Sequence, residues 1–141
     1  VIDATEVERA VIGKLAGDAA LAALLPDGVY WDLARQGATA FAIVSLSSSR
    51  REGELREGES FRTFVYIVKA VALGADADPI AAAETRMHAL LHAGTLDLPA
   101  AAGCALMTMQ WIDRIRYTET IAAETWQHRG ARYEVTVTPT T

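Results

Sequence analysis

The chain has 141 residues, 51% apolar and 22% charged, and its 13 lysines and arginines against 18 acids leave a net charge of −5. That is one domain's length of chain, apolar enough to build a core rather than stay disordered, and its acidic balance excludes a general nucleic-acid binder with a basic footprint. The single cysteine, Cys104, excludes an internal disulfide framework and a multi-cysteine zinc site.

The first residues, Val1-Ile2-Asp3-Ala4-Thr5-Glu6, show neither the basic n-region nor the apolar h-region of a secretion signal. The longest uncharged stretch, Leu98 to Ile112, is too short to cross a bilayer and is broken by Pro99, Gly103, Thr108 and Gln110. The expectation is a soluble protein made in a reducing cytoplasm.

Asp3 or Thr5 caps a first helix, with Glu6 and Glu8 in the first turn, where the helix dipole favours acids. Val7, Ala10, Val11 and Leu15 fall on one face, and Gly17 ends the helix. Asp18 starts a shorter helix carrying Leu21, Leu24 and Leu25. Pro26-Asp27-Gly28 marks a turn, Val29-Tyr30-Trp31 reads as a brief strand, and Asp32 to Thr39 as loop.

Ala40 to Ser47 alternates as a strand, with Phe41, Ile43 and Ser45 on one face and Ala42, Val44 and Leu46 on the other. Ser48 to Ser60 carries seven charged side chains and two glycines, so it reads as a long hairpin loop between two strands. Loops of that length are uncommon and often functional. Phe61 to Leu73 is the next strand, with Phe64, Tyr66 and Val68 opposed to Phe61, Val65, Ile67 and Val71.

Asp78 as cap with Pro79 at the first position predicts a helix whose apolar face is Ile80, Ala83, Met87, Leu90 and Leu91, closed by Gly94. Gly103 to Tyr117 and Trp126 to Thr138 read as two more strands, with Thr118 to Thr125 of open type between them. The sum is an α+β domain spanning the chain, with a mainly antiparallel β-sheet of four to five strands and helices packed on one face. Strands apolar on both faces need cover on both sides; either a second copy supplies it or the helices divide between the faces.

Few residues point to chemistry. Glu84, His88 and His92 fall at i, i+4, i+8 on the central helix, a spacing at which two histidines and a carboxylate can reach one zinc ion. The zincin pattern wants a Glu directly after the first His, and Ala89 stands there. Solvated residues on a helix flank account for the same three. Cys104 lies in an apolar strand as a small hydrophobe, and His128 beside Arg129 reads as surface. No nucleophile elbow, phosphate loop or dinucleotide fingerprint occurs, so neither an enzyme nor a cofactor is expected. The charged tip, Arg50, Arg51, Glu52, Glu54, Arg56, Glu57 and Glu59, carries three arginines against four acids, which suits a contact arm better than a phosphate site.

The order and character of these segments resemble the tail-terminator and tail-completion proteins of long-tailed bacteriophages, prophages and gene transfer agents. The resemblance runs through Gly17-Asp18-Ala19-Ala20-Leu21 and Gly28-Val29-Tyr30, then Phe41-Ala42-Ile43-Val44 and Phe64-Val65-Tyr66-Ile67-Val68. It continues through Asp78-Pro79-Ile80 to Met87-His88-Ala89-Leu90-Leu91, and through Ile115-Arg116-Tyr117 and Arg132-Tyr133-Glu134-Val135. Where the family often has a proline before the second strand, this chain has Thr39-Ala40.

The resemblance implies a tail-tube-like fold and a structural virion protein: a homohexameric ring that caps the last tail-tube ring, stops polymerisation and presents a face to the head. Its implied partners are further copies of itself, the major tail-tube protein and a head-completion or neck protein, with double-stranded DNA passing through unread. Its implied place is the head-proximal end of the tail, assembled in the bacterial cytoplasm. A head–tail joining protein of the same fold is the alternative, and a metal-dependent enzyme or ligand-binding domain at Glu84, His88 and His92 the remaining one.

Overall fold

Local chemistry sets both N-terminal helices. The Asp3 carboxylate accepts the Thr5 N–H at 3.0 Å and caps α1, Ala4–Ala16, satisfying one of the donors a helix start leaves open. Val7, Val11 and Leu15 line one face of α1 and are buried, each contributing on the order of 2 kcal/mol of transfer free energy. Asp18 caps α2, Ala19–Leu24, by accepting the Leu21 N–H at 2.9 Å. Six residues are too few to hold a helix alone. The same carboxylate is clamped at 2.6 and 2.8 Å by Arg86 of α3, Asp78–Leu91, which ties the short helix to the long one.

These hydrogen bonds, from Arg86 first and the Leu21 N–H second, hold the Asp18 carboxyl down to about 2, against an ordinary 3.8. A folded-state value below the unfolded one contributes stability above the unfolded pKa and loses it as pH falls through the folded one. Asp18→Asn should therefore melt below the wild type at neutral pH, with the gap closing between pH 3.8 and about 2. Urea melts across that window test it; a gap independent of pH would refute it.

The computed structural model describes residues 1–55 and 58–140. Its strands are β1 Val29–Trp31, β2 Ala40–Leu55, β3 Gly58–Leu73, β4 Cys104–Ile121 and β5 Glu124–Pro139. They form one mixed sheet in the order β1-β2-β3-β5-β4, parallel between β1 and β2 and antiparallel elsewhere. With three helices, this is the α+β class that the alternating segments predict. Asp27 fixes the parallel pair: its Oδ2 accepts the N–H groups of Thr39 and Ala40 at 2.9 and 3.0 Å, holding the start of β2 against the turn before β1.

The helices cover one face of the sheet, burying Ala42 and Val44, Phe64, Tyr66 and Val68, and Tyr133, Val135 and Val137. On the opposite face the chain's own Asp32–Thr39 loop brings Ala34 and Ala38 over Phe41 and Val71, with Trp126 alongside. That loop supplies part of the cover that a second copy was expected to give. Val65 and Ile67 remain half-buried beyond it.

Three boundaries differ from the expectation, and one that the sequence leaves open is settled. The stretch 48–60, expected as a loop, is strand in its described part: β2 and β3 stay paired through Arg51↔Arg62, Glu52↔Phe61, Glu54↔Glu59 and Leu55↔Gly58, and residues 56 and 57 lie outside the described residues. A backbone ladder needs no apolar side chains, so a charged stretch can remain a two-stranded ribbon. The helix expected to be capped by Asp78 starts at that residue; Ala77 is its cap, and Asp76 accepts the Asp78 N–H at 3.1 Å. The left-handed residue after α3 is Ala93 rather than Gly94; a Cβ on Gly94 would lie 2.3 Å from the Leu90 carbonyl oxygen. Thr118 to Thr125 continues β4 to Ile121 and turns through Ala122 and Ala123, both at positive φ, as a two-residue hairpin of the primed type requires.

Candidate assembly surfaces

The described part of the charged tip continues the β2–β3 ribbon past the part of the sheet that the helices cover. Arg50 is exposed and pairs by register with Thr63. Arg51, Glu52, Glu54 and Glu59 occupy paired positions on the ribbon's backbone, and their side chains lie outside the described set. Arg56 and Glu57 lie outside the described residues altogether.

The helical trio is not brought together as a metal cage. Glu84 turns away to Arg114 of β4, whose guanidinium donates to both carboxylate oxygens, at 2.6 and 3.3 Å. His92 Nδ1 accepts the Trp111 N–H at 3.1 Å and is thereby occupied. The His88 and His92 rings stack 4.9 Å apart and 16° from parallel, an arrangement that lays them face to face rather than aiming two nitrogens at one point. Among the described residues no group of three or more His, Cys, Asp or Glu is set to hold a metal. The cleft between α3 and β4, about 300 Å³, is lined by Glu84, His88, Trp111, Arg114 and Tyr133 and opens to solvent. Cys104 is buried, and burial raises its thiol pKa, the opposite of an activated nucleophile.

His128 is not at the surface. It is 6% exposed, stacks on Tyr117 at 4.2 Å, and its Nε2 lies 2.6 Å from Glu119 Oε1. Burial lowers its pKa against the pull of Glu119, with Lys69 adding to the fall. Lys69 donates to the Tyr117 hydroxyl at 2.7 Å, so the four side chains staple β3, β5 and β4 together on the face away from the helices. Alternation along β5 puts His128 on that face, but only the register with β4 shows that Tyr117 covers it.

The sheet's two outer edges carry the remaining features. On β4, Met107, Trp111, Ile112, Tyr117 and Ile121 are exposed large apolar side chains. On the opposite edge Trp31, Leu33 and Leu46 are exposed as well. Arg116 of β4 lies directly across from Arg129 of β5, and neither makes an ion pair among the described residues. Like charges directly opposite on a sheet are destabilising. At the other edge Glu8 hydrogen-bonds the Trp31 side chain and faces Asp32; burial, and then that second carboxylate, raise its pKa. The sequence signal for the β4 edge was present in the apolar Met107, Trp111 and Ile112, whereas the opposed arginines depend on register and were missed.

A five-stranded mixed sheet with three helices on one face and a long charged ribbon defines an α+β fold, and among the described residues no group of three or more His, Cys, Asp or Glu is set to hold a metal. No family model matches the chain, and no curated protein matches it either. Among solved structures, a chain of the virion of a native gene transfer agent (GTA) particle shares the fold with a TM-score of 0.71 at 19% identity, over 94% of this chain and 94% of that one. A second solved chain, at 10% identity and TM-score 0.59, covers 100% of this chain and 98% of its own. At these identities the likeness establishes a common fold.

Proposed function

We propose that the chain is a structural virion protein of a long-tailed phage or gene transfer agent, forming a homohexameric ring that caps the last tail-tube ring. The observation that carries this reading is the end-to-end likeness in fold to a gene transfer agent virion chain, which leaves little of either chain unmatched. The ring stops tube polymerisation, presents a face to the head's neck protein, and sits at the head-proximal end of the tail. Its partners are its own copies, the tail-tube protein and the neck protein. An acidic ring lets double-stranded DNA slide without sticking.

The test is electron microscopy of lysates from the parent phage or element with this gene deleted. Overlong or polydisperse headless tails are the expected result. Tails of normal length beside filled, unattached heads would replace the reading by a head–tail joining protein, and intact particles would overturn the virion assignment.

A further inference from the structure

We infer that the exposed edge of β4 is a docking strand for a second copy of this chain, whose β1–β2 edge adds to it antiparallel, with Arg116 and Arg129 facing Glu8 and Asp32 across the seam. The argument begins with the backbone. β4 is the outermost strand on its side and runs for 18 residues; the turn after α3 occupies its outer edge at Met109, whose carbonyl accepts the Ala93 N–H at 2.8 Å, and at Trp111, whose N–H goes to His92 Nδ1, and from Asp113 to Ile121 no further strand pairs with that edge among the described residues. Long, apolar edges of this kind template pairing with another chain unless they are blunted. Two bulges interrupt the β4–β5 register, at Leu106/Thr108 and Trp111/Asp113, yet the strand continues beyond them to Ile121.

The opposite edge is equally incomplete. β1 covers β2 only from Ala42 to Val44, so β2 is open on that side from Ser45 onward. Three antiparallel steps separate β2 from β4, so the two outer edges run in opposite directions. A copy placed beside the first in the same orientation therefore meets it antiparallel, the slightly more stable pairing.

One pair of exposed apolar side chains lies level on the two edges, Trp111 of β4 with Leu46 of β2 through Tyr133 and Tyr66, and two further rows run from an apolar residue on β1 to an arginine on β4. Trp31, Val44, Val68, Ala131 and Arg114 form one row across the sheet, and Val29, Ala42, Ala70, Arg129 and Arg116 form a row two residues away, about 7 Å along the strand. Each edge also holds like charges near one another: Arg116 and Arg129 directly opposed on one side, and on the other Glu8, which the Trp31 side chain hydrogen-bonds, with Asp32. Joining different patches of identical copies is a heterologous contact, which closes into a ring when the rotation permits. The seam rests on the ring reading only for that closure.

The experiment is charge exchange read by sedimentation. The wild type is expected to associate with rising concentration. Arg116→Glu with Arg129→Glu, and separately Glu8→Lys with Asp32→Lys, should each weaken association by roughly 100-fold, because like charges then meet across every seam. An equimolar mixture of the two variants should assemble again, since alternating copies restore every contact, and this recovery also shows both variants folded. Concentration-dependent protection of β4 amides from exchange in the wild type gives a readout free of substitutions.

A wild type that stays monomeric at its highest attainable concentration, variants that associate as it does, or β4 amides whose exchange ignores concentration would each overturn the seam. A monomeric wild type together with overlong tails in the deletion lysate would sink the seam and leave the terminator reading standing. Association through the seam with intact particles in that lysate would do the reverse.

Discussion

Gly130→Ala is expected to cost about 3 kcal/mol, the upper end of the overpacking range and a large part of a small domain's stability. Gly130 sits in the middle of β5, paired with Lys69 of β3 and Ile115 of β4. A Cβ there would lie 2.0 Å from the Val68 carbonyl oxygen and 2.5 Å from the Lys69 Cα. Those are backbone atoms of a central strand and cannot swing aside as a side-chain end would. The strands would have to separate, loosening Val68 and Ala131 on the core side and the Tyr117–His128 stack on the other. Gly13→Ala is the control: that glycine lies inside α1 with nothing within 4 Å of the added carbon, so helix propensity predicts a gain of about 1 kcal/mol. Urea melts of both variants decide it, and equal midpoints for Gly130→Ala and the wild type would refute the argument.

Much of this fold is legible in the sequence because the decisive interactions are local. Asp3 and Asp18 cap the helices that follow them, and the alternation of Phe64, Tyr66 and Val68 against Val65 and Ile67 separates the two faces of β3 correctly. What escaped depends on partners distant in the chain. The ribbon beyond Ser48 has no apolar alternation, so a pattern of side chains cannot reveal pairing that the backbone makes by itself. Glu84 looks like a ligand beside His88 until Arg114, 30 residues on, is brought against it by the register of a bulged strand. His128 looks solvated beside Arg129 until Tyr117 lies over it. In each case a polar side chain was read without the strand that partners it.

Removing the outer ribbon, residues 51–58, is expected to leave a folded protein that no longer caps tails. Fold and function separate here because of where the ribbon attaches. Arg50 pairs with Thr63, so the deletion leaves Glu59, Ser60, Phe61 and Arg62 as a four-residue connection between register partners, a length hairpins commonly use. The helix-covered core, from Phe64 and Tyr66 through Val135 and Val137, lies on the retained part of the strands, so the melting temperature should fall by only a few degrees. On the proposed reading the ring must grip the last layer of the tube, and a paired ribbon holds its residues more rigidly than a loop of the same length. Its mixed charges suit carboxylate and guanidinium partners on the tube ring or a neighbouring subunit. In lysates supplied with the shortened chain, tails should be as overlong as in the gene deletion, although the purified chain remains folded by circular dichroism. Replacing Arg51, Glu52, Glu54, Arg56, Glu57 and Glu59 by serine or threonine at full ribbon length distinguishes reach from charge: recovered capping assigns the grip to shape, continued loss assigns it to charge. Tails of normal length with the shortened chain would remove the ribbon from the contact.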